Sequence, residues 1–172
     1  MNQESYKKRL TKISAFVFDV DGVMTNGKVL ITSKGEMYRE MDTKDGYALR
    51  CAVLKNYKIG IISGGKNEGV RLRLKDLGIE NIFLGQTEKE NAFEEFRLKY
   101  ELVNEEILYM GDDIPDITIM KKVGISACPN DAVSDVKAMS DYVSHKKGGQ
   151  GCVRDIIEQV LRVQGKWASK QN

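Results

Sequence analysis

The sequence contains little histidine, proline or cysteine: one, two and three residues among 172. With His145 alone, neither a histidine-based catalytic triad nor a histidine zinc site is expected. The three cysteines, Cys51, Cys128 and Cys152, are far apart and include no Cys-x-x-Cys pair, which predicts free thiols in a reducing cytoplasm. No apolar run reaches the ~20 residues that a membrane-spanning helix needs. These absences favour a soluble protein whose functional site uses carboxylates or other oxygen ligands.

Positive and negative charges are also nearly balanced. The chain has 27 basic and 25 acidic residues and a formal net charge of +2, so no general attraction to nucleic acid is expected. Residues 1–12 are polar, lack the apolar segment of a secretory signal and are expected to form a frayed lead-in. The 41% hydrophobic fraction and the length predict one globular domain over residues 1–172.

Short apolar runs alternate with amphipathic segments along most of the chain. Strands are predicted near residues 13–18, 59–62, 81–84, 107–110, 126–128 and 142–143. Helices are predicted from Asp42 or Thr43 to about residue 54, and over residues 68–77, 88–100, 114–123 and 151–163. This alternation predicts an α/β fold, a Rossmann-like three-layer sandwich around a mainly parallel sheet.

One segment departs from that alternation. Residues 28–31 and 36–41 flank a polar turn at residues 32–35, which predicts a protruding β-hairpin over about residues 27–41. Gly35 is expected to supply the positive φ of the turn. Because an isolated two-stranded hairpin is marginally stable, we expect it to dock on a neighbouring subunit. A C-terminal helix and tail are expected over about residues 148–172.

The first predicted strand ends in two acids and a glycine. Continuous apolar runs such as residues 13–18 are typical of central strands in parallel sheets. Asp19 and Asp21 are two residues apart, so both carboxylates can face one side beyond the strand's carboxyl end, where ligands bind in open α/β sheets. Gly22 allows a sharp turn. Paired carboxylates attract a cation, and Mg²⁺ prefers oxygen ligands; a plain polar turn is the alternative interpretation.

Polar clusters also follow three later strands. They are Ser63-Gly64-Gly65-Lys66, Lys89, and Gly111-Asp112-Asp113 with Asp116. If the strands are parallel, all of these clusters open on one edge of the sheet. Taken singly, each has an ordinary explanation: a turn, a solvated helix residue or a helix cap. Their joint occurrence favours a single site.

In this order, the clusters resemble the four motifs of the haloacid dehalogenase superfamily of phosphatases, over about residues 13–167. The resemblance implies that Asp19 is the nucleophile and forms an aspartyl-phosphate. Asp21 then protonates the leaving oxygen and later deprotonates water. Ser63 completes the catalytic set with Lys89, whose positive charge offsets the charges of Asp19 and the phosphoryl oxygens.

The same resemblance implies a metal site and a phosphoryl site. Mg²⁺ is expected to be held by Asp19, the backbone carbonyl of Asp21 and Asp112, with Asp113 and Asp116 around this set. In the phosphoryl site, the Ser63 hydroxyl and the Gly64 amide donate hydrogen bonds to phosphoryl oxygens. Thr25 is expected to add a hydroxyl to the pocket.

Neither interval between the motifs has room for a cap domain, so no cap is expected. Among capless members, the chain is most similar to the phosphatases of 3-deoxy-D-manno-octulosonate 8-phosphate, through residues 21–27, 44–48, 84–86 with Lys89, and 148–154. That resemblance implies a sugar-acid phosphate substrate in lipopolysaccharide precursor synthesis, a homotetramer with packed hairpins, and a cytoplasmic location. Relatives acting on nine-carbon, sialic-type sugar-acid phosphates share most of these segments.

Two positions depart from the family pattern. Many members carry arginine, and the nine-carbon relatives glutamate, where this chain has Gly65; the missing glutamate favours the eight-carbon substrate. Lys66 is therefore expected to bind the sugar carboxylate, together with Arg154. Gln150 stands where a basic residue is often found, so closure by the tail is expected to differ.

Two other functions fit parts of the pattern. A signalling receiver domain also carries paired acids, a hydroxyl residue and a lysine, but its phosphorylated aspartate lies on a different strand from the acid pair. Asp21, two residues after Asp19, favours turnover over a lasting phosphoryl mark. A non-catalytic oligomerisation module of the same fold is the second alternative, and the complete set of catalytic groups argues against it.

Overall fold

The computed structural model describes residues 5–167. Its helices are α1 (Tyr6–Leu10), α2 (Thr43–Leu54), α3 (Glu68–Asp76), α4 (Lys89–Lys99), α5 (Ile117–Met120), α6 (Ser134–Met139) and α7 (Cys152–Val163). Its strands are β1 (Ala15–Phe18), β2 (Leu30–Ile31), β3 (Met37–Tyr38), β4 (Lys58–Ser63), β5 (Asn81–Leu84), β6 (Ile107–Met110), β7 (Ile125–Cys128) and β8 (Tyr142–Val143). Two 3₁₀ turns cover Asn104–Glu106 and Ile114–Asp116. Among these helices, none is long and apolar enough to cross a membrane.

Six strands form one sheet in the order β5-β4-β1-β6-β7-β8, and every pairing in it is parallel. The predicted parallel α/β sheet is confirmed. Strand β1 lies in the middle of the sheet. Strands β4 and β5 follow on one side of it, and β6 then pairs with the other side of β1. The carboxyl ends of β1 and β6 therefore flank the crevice where such sheets bind ligands.

Two apolar cores cover the two faces of the sheet. Side chains of a strand point alternately to opposite faces, so Phe16 and Phe18 of β1 enter one core while Ala15 and Val17 enter the other. Helices α2, α3 and α7 pack on the first face, and α4, α5 and α6 on the second. All four residues of β1 are fully buried, as the continuous apolar run predicted. This layering is the predicted three-layer sandwich. Within residues 5–167, no separate cap domain is inserted between its elements.

The hairpin is shorter than predicted. Its strands β2 and β3 have two residues each, paired antiparallel as Leu30 with Tyr38 and Ile31 with Met37. These four side chains are exposed, and Leu30 is the most exposed at 68%. The hairpin base is attached to the body where Asn67 donates a hydrogen bond to the carbonyl of Met37 (2.7 Å). Gly35 has the expected positive φ, +79°.

Three local predictions were wrong or incomplete. The lead-in forms helix α1, because Leu10 is buried and Tyr6 stacks on Tyr142 with ring centroids 5.7 Å apart. The helix predicted over residues 114–123 is a 3₁₀ turn followed by the four-residue α5, since Asp116 turns its carboxylate back to accept the amides of residues 112 and 113. Helix α6 was missed. The predicted tail beyond Trp167 lies outside the described residues.

Candidate active site

The loop after β1 carries the first two acids of the site. Asp19 is 6% exposed and follows the buried end of β1 directly. Gly22 has φ +90°, and a Cβ there would overlap the Asp112 carboxylate, so both backbone and space require glycine. Buried Thr25 closes this loop: its hydroxyl accepts the amides of Gly22 (3.4 Å) and Gly27 (3.2 Å). The loop thus presents Asp19 and Asp21 at the carboxyl edge of the sheet.

Lys89 links two of the acids. It is the first residue of α4, only 7% exposed, and its Nζ lies 3.0 Å from Asp19 Oδ2 and 2.8 Å from Asp116 Oδ1. Burial acts to lower the pKa of Lys89, but the neighbouring charges of Asp19 and Asp116 outweigh it and the pKa is raised. The site therefore contains a fixed ammonium between two carboxylates.

Both oxygens of Asp116 are occupied by donors. Oδ1 accepts from Lys89 and from the Tyr109 hydroxyl (2.6 Å), and Oδ2 accepts from the amides of Asp112 (3.0 Å) and Asp113 (3.3 Å). Asp116 is fully buried. It consequently orients Lys89 and the loop that carries Asp112, rather than offering a free lone pair to a ligand.

Asp19 and Asp112 each keep one oxygen free. Their Oδ1 atoms are buried and have no hydrogen-bond partner within residues 5–167. Burial, opposed by Lys89, raises the pKa of Asp19 to about 7; burial together with the charges of Asp19 and Asp116 raises that of Asp112 to about 8. A divalent cation would satisfy the free oxygens and relieve this crowding.

The donor set fits Mg²⁺. Carboxylate oxygens of Asp19, Asp112 and Asp116 lie within 4.8 Å of one another. Mg²⁺ takes one or two carboxylates and leaves other positions to water and phosphate oxygens, which matches two free acidic oxygens beside an open cleft. Since Asp116 is already occupied, Asp19 and Asp112 are the side chains suited to direct coordination.

The loop after β4 forms another side of the cleft. A cleft of about 470 Å³ is lined by Asp19, Ser63, Gly64, Lys89 and Asp112 among others. Ser63 is buried, and its Oγ accepts the amide of Gly65 (3.1 Å), which leaves the hydroxyl proton free to be donated. Hydroxyl and ammonium donors beside a buried carboxylate suit the binding of a phosphoryl group.

Three predicted site residues lie outside this cleft's lining. Thr25 is used within its own loop and reaches only Asp21, at 3.5 Å. The side chain of Lys66 lies over Gly85. The Arg154 guanidinium lies over the rings of Tyr47 (5.7 Å) and Trp167 (5.5 Å). Gln150, which departs from the family pattern, lines a separate cleft near α7 together with Arg154.

Asp113 lines the cleft but has a local partner. Its side chain is exposed and accepts the amide of Ile114 (2.8 Å), so it begins the 3₁₀ turn there. This arrangement holds the loop after β6 in the shape that directs Asp112 toward Asp19.

One residue of the site was missed by sequence reasoning. Arg39, just after β3, donates from Nε to Asp21 Oδ1 (2.6 Å) and from Nη2 to Asp21 Oδ2 (2.9 Å). Its side chain is only 9% exposed. No sequence pattern indicates this pair. The hairpin was expected to contact another subunit, and the direction of its side chains depends on how the hairpin packs against the rest of the chain.

Comparison with known proteins bears on the whole arrangement. Residues 74–156 match the model of the haloacid dehalogenase-like hydrolases. A 3-deoxy-D-manno-octulosonate 8-phosphate phosphatase from Salmonella typhi is 37% identical over 154 residues, which cover 90% of this chain and 82% of that protein. The chain belongs to the haloacid dehalogenase-like hydrolase family.

Solved structures of family members share the fold. The 3-deoxy-D-manno-octulosonate 8-phosphate phosphatase of Yersinia pestis superposes with a TM-score of 0.91 at 32% identity, covering 93% of this chain and 86% of that one. The Moraxella catarrhalis phosphatase of the same name, solved with magnesium, phosphate and KDO, has a TM-score of 0.89 at 30% identity, covering 92% and 91%.

Proposed function

We propose that this protein is a Mg²⁺-dependent phosphomonoesterase that hydrolyses 3-deoxy-D-manno-octulosonate 8-phosphate to the free sugar acid and phosphate. The observation that carries the proposal is the cluster of buried Asp19, Lys89 and Asp116 with half-buried Asp112 at the switch point of the sheet. The substrate is supported by the Salmonella typhi relative and by the Moraxella catarrhalis structure with magnesium, phosphate and KDO.

In the first displacement, a carboxylate oxygen of Asp19 attacks phosphorus and the ester P–O bond breaks. Asp21, two residues further along the same loop, delivers a proton to the departing sugar oxygen. Lys89 and Ser63 donate to the phosphoryl oxygens as their charge redistributes. The products of this step are the sugar acid and an aspartyl-phosphate on Asp19.

In the second displacement, water attacks the same phosphorus and the bond to Asp19 breaks. Asp21 takes the proton of this water, which restores its starting protonation state. Asp116 acts indirectly by keeping Lys89 and the Asp112 loop in place. Mg²⁺, held by Asp19 and Asp112 with the Asp21 carbonyl, would supply positive charge that lets an anionic carboxylate approach an anionic phosphoryl group.

The assembly we propose is a homotetramer that packs through the hairpin, in the cytoplasm and within lipopolysaccharide precursor synthesis. Support comes from the apolar side chains that β2 and β3 leave exposed, Leu30, Ile31, Met37 and Tyr38. A capless cleft also leaves the reacting groups open to water, which a neighbouring subunit would reduce.

A phosphate-release screen across sugar phosphates, with Mg²⁺ and with a chelator, tests the proposal. We expect the highest kcat/KM for the eight-carbon sugar-acid phosphate and loss of activity with the chelator. Preference for a nine-carbon acid phosphate would change the substrate assignment. Absence of phosphate release from every ester would instead favour the non-catalytic oligomerisation module.

A further inference from the structure

Arg39 keeps hydrogen-bonding capacity beyond its pair with Asp21. A guanidinium has five N–H donors, and Asp21 accepts from Nε and from one proton of Nη2. No described residue accepts from Nη1, so three donors remain for an incoming ligand. A planar guanidinium held on one edge, with unused donors on the other, is suited to a second carboxylate, which binds such an edge with two parallel hydrogen bonds.

Gly65 provides the space for this group. A Cβ at position 65 would lie 3.2 Å from Nη2 of Arg39 and 3.1 Å from Oδ2 of Asp21, so any larger side chain would press on the ion pair. The guanidinium therefore occupies space that a side chain of residue 65 would otherwise take. Position 65 carries no charge, and the positive charge next to the site comes from Arg39 at the base of the hairpin.

The surrounding charges favour the same conclusion. The catalytic cleft is lined by five acids: Asp19, Asp21, Asp112, Asp113 and Asp116. A second cleft of about 450 Å³, linked to the first by the Arg39–Asp21 pair, is lined by Arg39 and Arg73 and by no acidic residue. A substrate with an anionic group at each end would be repelled by the first cleft except at its phosphoryl site, and attracted by the second.

We propose that Arg39 binds the carboxylate of the sugar-acid substrate through its free edge, at the junction of these two clefts, and thereby determines specificity for acids. The inference rests on the proposed function and adds to it the group that recognises the acid end. It replaces Lys66, whose stem lies over Gly85, and Arg154, which is engaged with Tyr47 and Trp167.

The test compares Arg39→Gln with wild type on two esters, the eight-carbon sugar-acid phosphate and D-glucose 6-phosphate, which has no carboxylate. Because Arg39 also touches Asp21, turnover of both esters is expected to change. That common effect cancels in the ratio of the two kcat/KM values. We expect this ratio to fall about 10- to 100-fold, the loss typical of a charged hydrogen-bonding partner, mainly through KM. Arg39→Lys should restore part of it.

Inhibition provides a second measurement that needs only one active substrate. Arg39→Gln should raise the inhibition constant of 3-deoxy-D-manno-octulosonate about 10-fold or more while leaving that of inorganic phosphate within about 3-fold. Lys34→Gln is the matched control, since it removes one positive charge from the exposed turn of the same hairpin and should change neither constant.

The outcomes separate the two proposals. An unchanged ratio and unchanged inhibition by the sugar acid in Arg39→Gln, with a wild type that prefers the acid, would overturn this inference and leave the proposed function standing. A wild type that hydrolyses D-glucose 6-phosphate as well as the acid would contradict the proposed function, and this inference with it.

Discussion

The carboxyl edge of the sheet and the hairpin are built in opposite ways. At the edge, Asp19, Lys89 and Asp116 are at most 7% exposed. The Asp116 carboxylate accepts four hydrogen bonds, one of them from the Lys89 ammonium. In the hairpin, two-residue strands leave Leu30 68% exposed. Side-chain contacts of Asn67 with Met37 and of Arg39 with Asp21 attach the hairpin base to the body.

This difference indicates a division of work. The groups assigned to phosphoryl transfer are positioned by the central strands, which are the most buried part of the fold. The group assigned to substrate recognition comes from a peripheral segment that the sheet does not constrain. Changes at the sheet edge should therefore affect chemistry and stability, whereas changes in the hairpin should affect recognition and assembly.

The largest effect is expected for Asp19→Asn. An amide cannot attack phosphorus as a carboxylate does, so phosphate release should fall by at least about 10⁴-fold. The circular dichroism spectrum should stay that of wild type, since the amide is isosteric. Turnover close to wild type would refute the nucleophile and remove the main reason for treating the sheet edge as the chemical region.

Asp116→Asn should reduce both stability and activity. All four groups that reach the carboxylate are donors, so the amide NH₂ must face at least one of them, and the charge beside Lys89 is lost. We expect the free energy of unfolding to fall by about 3–5 kcal/mol, as when one partner of a buried ion pair is removed. Urea denaturation measures it. The exposed Asp135→Asn is the matched control, and equal stability of the two variants would contradict the role of Asp116.

Mg²⁺ should stabilise the fold through the free acidic oxygens. At about 100 times its dissociation constant, the ion should add about 3 kcal/mol, which raises Tm by about 5–10 °C in a chain of this size. Asp112→Asn should reduce that rise because one ligand and one crowded charge are lost. Differential scanning calorimetry in MgCl₂ and in NaCl of equal ionic strength measures it. An equal rise in both salts would contradict a specific site.

The smallest change in folding is expected for Leu30→Ser. This side chain is exposed, so its replacement should alter the secondary structure little and the intrinsic stability by about 0.5 kcal/mol or less. The molecular mass in solution should fall if the hairpin forms the subunit contact. Light scattering after size exclusion measures this mass. An unchanged mass, with Leu30→Ser and Ile31→Ser combined, would contradict assembly through the hairpin.

The sheet edge could be predicted from sequence because its signals are local. Each buried strand is a continuous apolar run, and Asp19 and Asp112 come within two residues of the ends of β1 and β6, while Lys89 begins the helix after β5. Parallel pairing of these strands therefore brings the three residues to one edge. The hairpin base offered no comparable pattern. The direction of the Arg39 side chain depends on the angle between the hairpin and the rest of the chain. Neither hydrophobic periodicity nor the spacing of motifs in the sequence indicates that angle.

Other differences have similar causes. Helix α6 was missed since its six residues are too few to show helical periodicity. The shortened helix after Asp113 follows from a carboxylate that satisfies two backbone amides, and such a contact is unknown until the loop is folded. Lys66 was predicted to bind the sugar carboxylate because it follows Gly65; its stem lies along Gly85, outside the lining of the catalytic cleft, and its role stays a prediction.

The sequence by itself determined the α/β class, the parallel sheet and the acids that meet at its edge, because hydrophobic runs and the residues that end them act over a few positions. Only the tertiary structure decided which carboxylate oxygens remain free and which arginine reaches Asp21. Those outcomes depend on contacts between residues such as Arg39 and Asp21, or Lys89 and Asp116, that are 18 and 27 positions apart in the chain. Their geometry exists only after the strands have paired.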